Sequence, residues 1–249
     1  IDYNEDFRTV DVSEGEKFKI NDKGVTFSES NIKIDFSNTV IWSSDWEVKP
    51  DLTLLSENIK YLEELVIKKG DMRGIGFLLS RGLPEDNVFP EKTVERIKEK
   101  VSDIDKKIFR NNGYQIFEEF IGLGPGLTPS GDDFVSGFLY TWNYAVDHGL
   151  LDQIDFNYDE WISLIDKKTN KVSKMDLWLA LNDKPLEVVK EVIESLYGLN
   201  KFKMYNSVID LIERGSTSGT DILTGIIISS KLILEENSYN WYKKKRKRI

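Results

Sequence analysis

The feature that most constrains this chain is a glycine-rich run, Gly122-Leu-Gly-Pro-Gly-Leu-Thr-Pro-Ser-Gly-Asp-Asp-Phe-Val-Ser-Gly137, which leads into a helix start carrying two adjacent carboxylates. It returns in shortened form as Ser216-Thr-Ser-Gly-Thr-Asp-Ile-Leu-Thr-Gly225, so that Ser130, Gly131, Asp133 and Gly137 align with Ser218, Gly219, Asp221 and Gly225. Glycine inside a helix costs about 1 kcal/mol relative to alanine, a cost that close approach of another backbone can offset. Gly137 and Gly225 therefore predict that the two motif helices cross at these positions, bringing both helix starts to one composite pocket.

Each motif reads as the acidic form of a capping box, in which the Ser130 or Ser218 hydroxyl accepts from a third-position amide and Asp133 or Asp221 reaches back. Gly122, Gly124 and Gly126 allow positive φ and close backbone contact with a ligand. Free amides and the positive dipole end of the following helix favour an anion there. The expected binding residues are Gly124, Gly126, Thr128, Ser130 and Gly131 in the first motif and Ser216, Ser218, Gly219 and Asp221 in the second. Thr217 is a further hydroxyl donor, and Arg214 is placed to clamp the anion. Thr169 and Ser173 mark a third hydroxyl-bearing helix start, read as a plain cap or as another wall of the pocket. The pattern is neither a P-loop nor a dinucleotide fingerprint.

The carboxylates complicate an anion site. Asp133 is taken up by its cap, whereas Asp132 is surplus, and both would repel a bare phosphate. Magnesium held by Asp132 or Asp133, a substrate ammonium or amide group held by one of them, or a general base with a raised pKa would each remove the conflict. Simple stabilisation of a positive helix end stands beside these three. Asp132 and Asp133 are accordingly the candidate catalytic pair and the candidate magnesium ligands.

Composition narrows the chemistry further. The chain has no cysteine and one histidine, His148, which excludes thiolate zinc sites, a cysteine nucleophile and multi-histidine metal centres. His148 itself reads as a side chain at a helix end. A formal net charge of −9 argues against a broad nucleic-acid surface, despite the basic run Lys243-Lys-Lys-Arg-Lys-Arg248. That run reads as a solvated end, with an acidic partner, the chain's own body or RNA as alternatives. No stretch has the length of a membrane span and no charged-then-apolar leader is evident, so the expected location is the cytoplasm.

Short alternating segments at Thr9–Val12, Lys17–Ile20, Val25–Phe27 and Ile32–Phe36 predict a small antiparallel sheet or barrel. After Pro50 the spacing becomes helical, with Gly70 stopping the first helix. Further helices are expected at about 94–109, 132–146, 158–168, 171–181, 185–197, 203–213 and 220–234. The fold class is α+β: a β-rich element over residues 1–48 packed on a mostly helical domain over 49–242, with a basic tail at 243–249.

The string from Gly122 to Asp133 resembles the family that includes the bacterial AllH (YlbF) proteins. The similarity extends more loosely through Thr169–Ser173 and Gly215–Asp221. The resemblance implies a role in oxamate carbamoyltransferase activity beside AllG-like and FdrA-like subunits. The implied ligands are carbamoyl phosphate, oxamate or oxalurate, handled by this chain or by the partners it supports. The Ser-x-Arg-Thr phosphate loop of ordinary transcarbamoylases is not found in the sequence.

Overall fold

A computed structural model describes residues 13–30, 32–40, 42–80, 82–104, 108, 113–152, 157–198 and 200–246 of the chain. The chain divides into two compact units, Ile1–Ser43 and Ser44–Ile249. The class is α+β.

In the first unit, β1 (Phe18–Asn21), β2 (Gly24–Phe27) and β3 (Lys33–Asp35) form an open antiparallel sheet in sequential order. Phe18 pairs with Phe27, Ile20 with Val25, and Val25 with Ile34. Gly24, at φ +151°, is required here, because a Cβ would lie 2.0 Å from the Ile34 carbonyl oxygen. The segment Thr9–Val12 lies outside the described residues.

The second unit is helical. Its α1 (Leu52–Lys69) starts at Asp51, whose carboxylate accepts from the Thr53 amide, and ends at Gly70, whose N–H donates to the Val66 carbonyl. It buries Leu55, Ile59, Leu62 and Val66 on one face, as the apolar spacing dictates. A short 3-10 turn, Ile75–Leu78, follows, then α2 (Glu91–Ser102). The remaining helices are α3 (Ser130–Asp147), α4 (Tyr158–Lys168), α5 (Lys171–Leu181), α6 (Glu187–Tyr197), α7 (Lys201–Ile212) and α8 (Ser218–Arg246).

The α3 helix is the axis of the unit. Every side chain from Phe134 to Trp142 is buried, which suits a helix apolar or small on all faces rather than on one stripe. Its most extensive partner is α8, while α1, α6 and α7 pack around the pair. Phe134 stacks on Phe120 with ring centroids 5.1 Å apart, and Phe138 meets Phe117 edge-on at 5.0 Å. Among the described residues no helix is long and apolar enough to cross a membrane.

Two expectations change. The last helix runs past residue 234 to Arg246, so the backbone of Lys243–Arg246 continues the helix instead of forming a separate tail, whereas residues 247–249 lie outside the described set. The sixth helix begins at Glu187 after Leu186, with Pro185 preceding rather than occupying its first turn.

Candidate functional site

The α3–α8 crossing falls on the two predicted glycines, and it is reciprocal. A Cβ on Gly137 would lie 2.1 Å from the Ile222 carbonyl oxygen, and one on Gly225 would lie 2.1 Å from the Phe134 carbonyl oxygen. Phe134 and Ile222 occupy equivalent places in the repeat, so each motif helix receives the backbone of the other at the same point. The geometry is that of a local two-fold relation between the motifs. Only glycine permits this approach, which explains its retention inside both helices despite its low helix propensity.

This crossing brings the helix starts together. The Thr128 and Ser218 hydroxyls lie 2.7 Å apart, and those of Ser130 and Thr217 lie 3.4 Å apart. Neither serine acts as the expected local cap. The residue before α3 is Pro129, which supplies no side-chain cap, and Ser130 is already the first helical residue. The hydroxyls instead face the partner motif, because the close crossing makes that motif their nearest polar neighbour.

Gly122, Gly124 and Gly126 have φ of +74°, +117° and +98°. At Gly122 a Cβ would meet the Lys168 carbonyl oxygen at 2.0 Å, so the loop is drawn onto the end of α4. Gly131 and Gly219 are pinned similarly, with a Cβ falling 1.9 Å from the Phe120 carbonyl oxygen and 1.8 Å from that of Leu211. Gly126 is exposed, and a Cβ there would meet nothing within 4 Å.

The two adjacent aspartates have separate surroundings. Asp132, the carboxylate left over by the sequence argument, is fully engaged. Its Oδ1 accepts from the Gly122 amide at 2.7 Å, and its Oδ2 accepts from the Ser173 hydroxyl at 2.7 Å and from the Thr169 hydroxyl. Burial raises its pKa, opposed by these three donors. Asp132 therefore fastens the glycine loop to the start of α5. The cap of α5 is Asn170, not Thr169, and Asn170 also reaches the Leu127 carbonyl at 2.8 Å.

Asp133 points instead toward α8. Burial drives its pKa up to about 8, with Asp221 and Asp176 adding to the rise and the Ser218 and Thr128 hydroxyls opposing it. Asp221 is wholly buried, and burial raises its pKa to about 7 against the hydroxyls of Ser130 and Thr217 and the amides of Gly76 and Ile75. The Gly76 amide donates to Asp221 Oδ1 at 3.1 Å. Each aspartate has a buried Oδ2 with no hydrogen-bond partner. Such an atom costs free energy unless a ligand or its own proton satisfies it.

Sequence reasoning missed the strip Gly70-Asp-Met-Arg-Gly-Ile-Gly76, in which Gly70 figured only as a helix stop. A Cβ on Gly74 would lie 2.4 Å from Asp221 Oδ2, and one on Gly70 would lie 2.7 Å from Thr220 Oγ1. The Asp71 amide donates to that Thr220 hydroxyl at 2.9 Å. Arg73 forks onto Asp71 and donates to the Ser216 hydroxyl at 3.2 Å. The glycine spacing of 70, 74 and 76 around an arginine was the available signal. Arg214 is exposed on the surface after α7, so Arg73 is the guanidinium in contact with the second motif.

Magnesium can be tested against this donor set. Asp132 offers its oxygens to hydroxyl and amide donors, and Asp133 diverges from it toward α8. Among the described residues no group of three or more acidic or histidine side chains is arranged to hold a metal ion. The pair does not suit an octahedral cation, which requires convergent oxygens.

The fold and site thus define an α+β protein whose helical unit is built on two crossed glycine-loop helix starts with buried carboxylates between them. Residues 120–230 match the family described as oxamate carbamoyltransferase subunit AllH. The matched stretch runs from the glycine loop through the α3–α8 crossing. No curated protein and no solved structure matches the chain.

Proposed function

We propose that this chain is a subunit of an oxamate carbamoyltransferase-type assembly, and that it binds a small carboxylate or carbamoyl compound where the starts of α3 and α8 meet. The observation that carries the reading is the pair of buried, unpartnered Oδ2 atoms of Asp133 and Asp221 beside the hydroxyls of both motifs. An amide or carbamoyl group has N–H donors for a carboxylate and oxygens for hydroxyls and helix amides, so one small molecule matches both halves of the site.

Burial also removes the charge conflict without a metal. With a pKa of about 8, Asp133 carries its proton at neutral pH and donates to an anionic oxygen instead of repelling it. Asp221, at about 7, exists in both forms there and can accept or release a proton as the ligand changes. Arg73, paired with Asp71 and 3.7 Å from Asp86, offers an N–H donor at Ser216. Carbamoyl phosphate and oxalurate belong to the same ligand class, and AllG-like and FdrA-like chains are the partners to test.

A non-catalytic binding or scaffold subunit is the second reading. Its support is the outer face of α5, where Val172, Met175 and Trp178 are exposed at successive helical intervals.

Calorimetric titration of the isolated chain with oxamate and with carbamoyl phosphate tests the proposal. Binding is expected, weakened at least tenfold by Asp133→Asn and by Ser218→Ala, each checked for folding by circular dichroism. Unchanged affinity in both folded variants refutes the site. Turnover that appears only after partner subunits are added favours the scaffold reading.

A further inference from the structure

A second polar region lies on the outer side of the glycine loop; its α2 residues and Glu119 precede the family match, which takes in only Phe120, Leu123 and Lys168 of the lining, and the helix-junction proposal does not involve it. A cleft of about 470 Å³ opens between α2 and the segment around Phe120. Along α2, Lys92, Arg96 and Lys100 follow one another at intervals of four residues, which places them in a row about 12 Å long on one helix face. Lys168, at the end of α4, adds a fourth cation to the lining.

The carboxylates facing this row are few. Glu119 pairs with Lys100 at 2.7 Å and with Arg96, and Glu118 stands 3.7 Å from Lys168 Nζ, which also donates to the Glu118 carbonyl at 2.6 Å. Lys92 is exposed and has no ion pair among the described residues. The lining is thus net positive on a chain whose overall charge is −9. Local charge opposed to the global sign concentrates anions at that place. The floor is apolar, made by Ile97, Phe120 and Leu123.

We propose that this cleft binds an organic polyphosphate, with the phosphate chain along Lys92, Arg96 and Lys100 and the organic body over the apolar floor. A row of cations suits an extended anion with several charges better than a single compact one. A concave volume of this size suits a nucleotide-sized molecule rather than a flat macromolecular surface. Glu119 holds Arg96 and Lys100 in place and limits the affinity by its own charge.

The same cleft backs the glycine loop. The Leu123 carbonyl accepts from the Gly131 amide at 2.8 Å, and the Phe120 and Lys168 carbonyls abut Gly131 and Gly122. An occupant resting on Phe120 and Leu123 therefore stiffens the loop that leads into α3.

Calorimetry at low ionic strength with ATP, tripolyphosphate and adenosine tests the cleft. ATP and tripolyphosphate are expected to bind, ATP more tightly because of the floor, while adenosine does not. Arg96→Gln and the pair Lys92→Gln/Lys168→Gln should each weaken ATP at least tenfold, whereas Glu119→Gln should tighten it severalfold. That gain is an effect a purely structural role for Glu119 does not produce. Amide exchange in residues 122–131 should slow with ATP present. Wild-type affinity in both cation-loss variants overturns the proposal, as does failure of either anion to bind. Preference for a short RNA over ATP overturns the small-molecule reading. None of these residues belongs to the α3–α8 junction, so loss of ATP binding with oxamate binding intact, or the reverse, separates the two proposals.

Discussion

Replacing Gly225 by alanine places a methyl group 2.1 Å from the Phe134 carbonyl oxygen and 2.7 Å from the Phe138 amide nitrogen, where ordinary contact begins at 3.4 Å. Both neighbours are backbone atoms of a buried helix, so no side chain can turn aside, and α3 and α8 must separate by more than 1 Å. In an exposed helix the same change would stabilise by about 1 kcal/mol. Here overpacking costs of roughly 1–3 kcal/mol are expected at their upper end, and separation of the helices loosens the contacts of Phe134 and Phe138 as well. We expect a net loss of about 3 kcal/mol, or a Tm about 6–12 °C lower for a unit of this size. Gly137→Ala should cost a similar amount through Ile222, and the double variant should cost less than the sum, since one separation relieves both clashes. Urea unfolding followed by circular dichroism measures all three. A Gly225→Ala protein as stable as the parent, or fully additive single variants, would refute the reciprocal crossing.

Further outcomes concern the carboxylates. Asp132→Asn turns one acceptor of three donors into a donor itself, and should cost about 2 kcal/mol in unfolding free energy while accelerating amide exchange at Gly122. Unchanged stability would show that Asp132 is not the tether described. For Asp133 and Asp221 the folded pKa lies above the unfolded one. The folded state therefore binds more protons between about pH 4 and about pH 8, and their contribution to stability falls as pH rises through that window. Asp133→Asn should accordingly flatten the decline of stability between about pH 5 and about pH 8. A pH dependence identical to that of the parent would contradict the assignment.

Much of the architecture was legible in the chain. The aligned glycines, out of place by helix propensity, announced a backbone crossing, and apolar spacing located α1 and α3 to α7 close to their observed bounds, whereas α8 continues 12 residues beyond the expected end at 234. The antiparallel character of Lys17–Phe36 followed from alternation and turn residues. The site was legible only in outline. Local capping rules assigned Ser130, Ser218 and Asp133 to their own helices, whereas the crossing redirects them to one another. The same rules left Asp132 without a partner, although Thr169 and Ser173 wait for it across a chain separation that spacing arguments do not span.

The sequence by itself determined where the helices break, which positions must lack a Cβ and which residue types are available for chemistry, because these depend on backbone sterics and composition. Only tertiary structure decided which carboxylate is a tether and which keeps an unsatisfied oxygen. Those properties depend on the dielectric and the donors around each group, and both are set by elements remote in sequence: α5 for Asp132, α8 for Asp133 and the Gly70–Gly76 strip for Asp221.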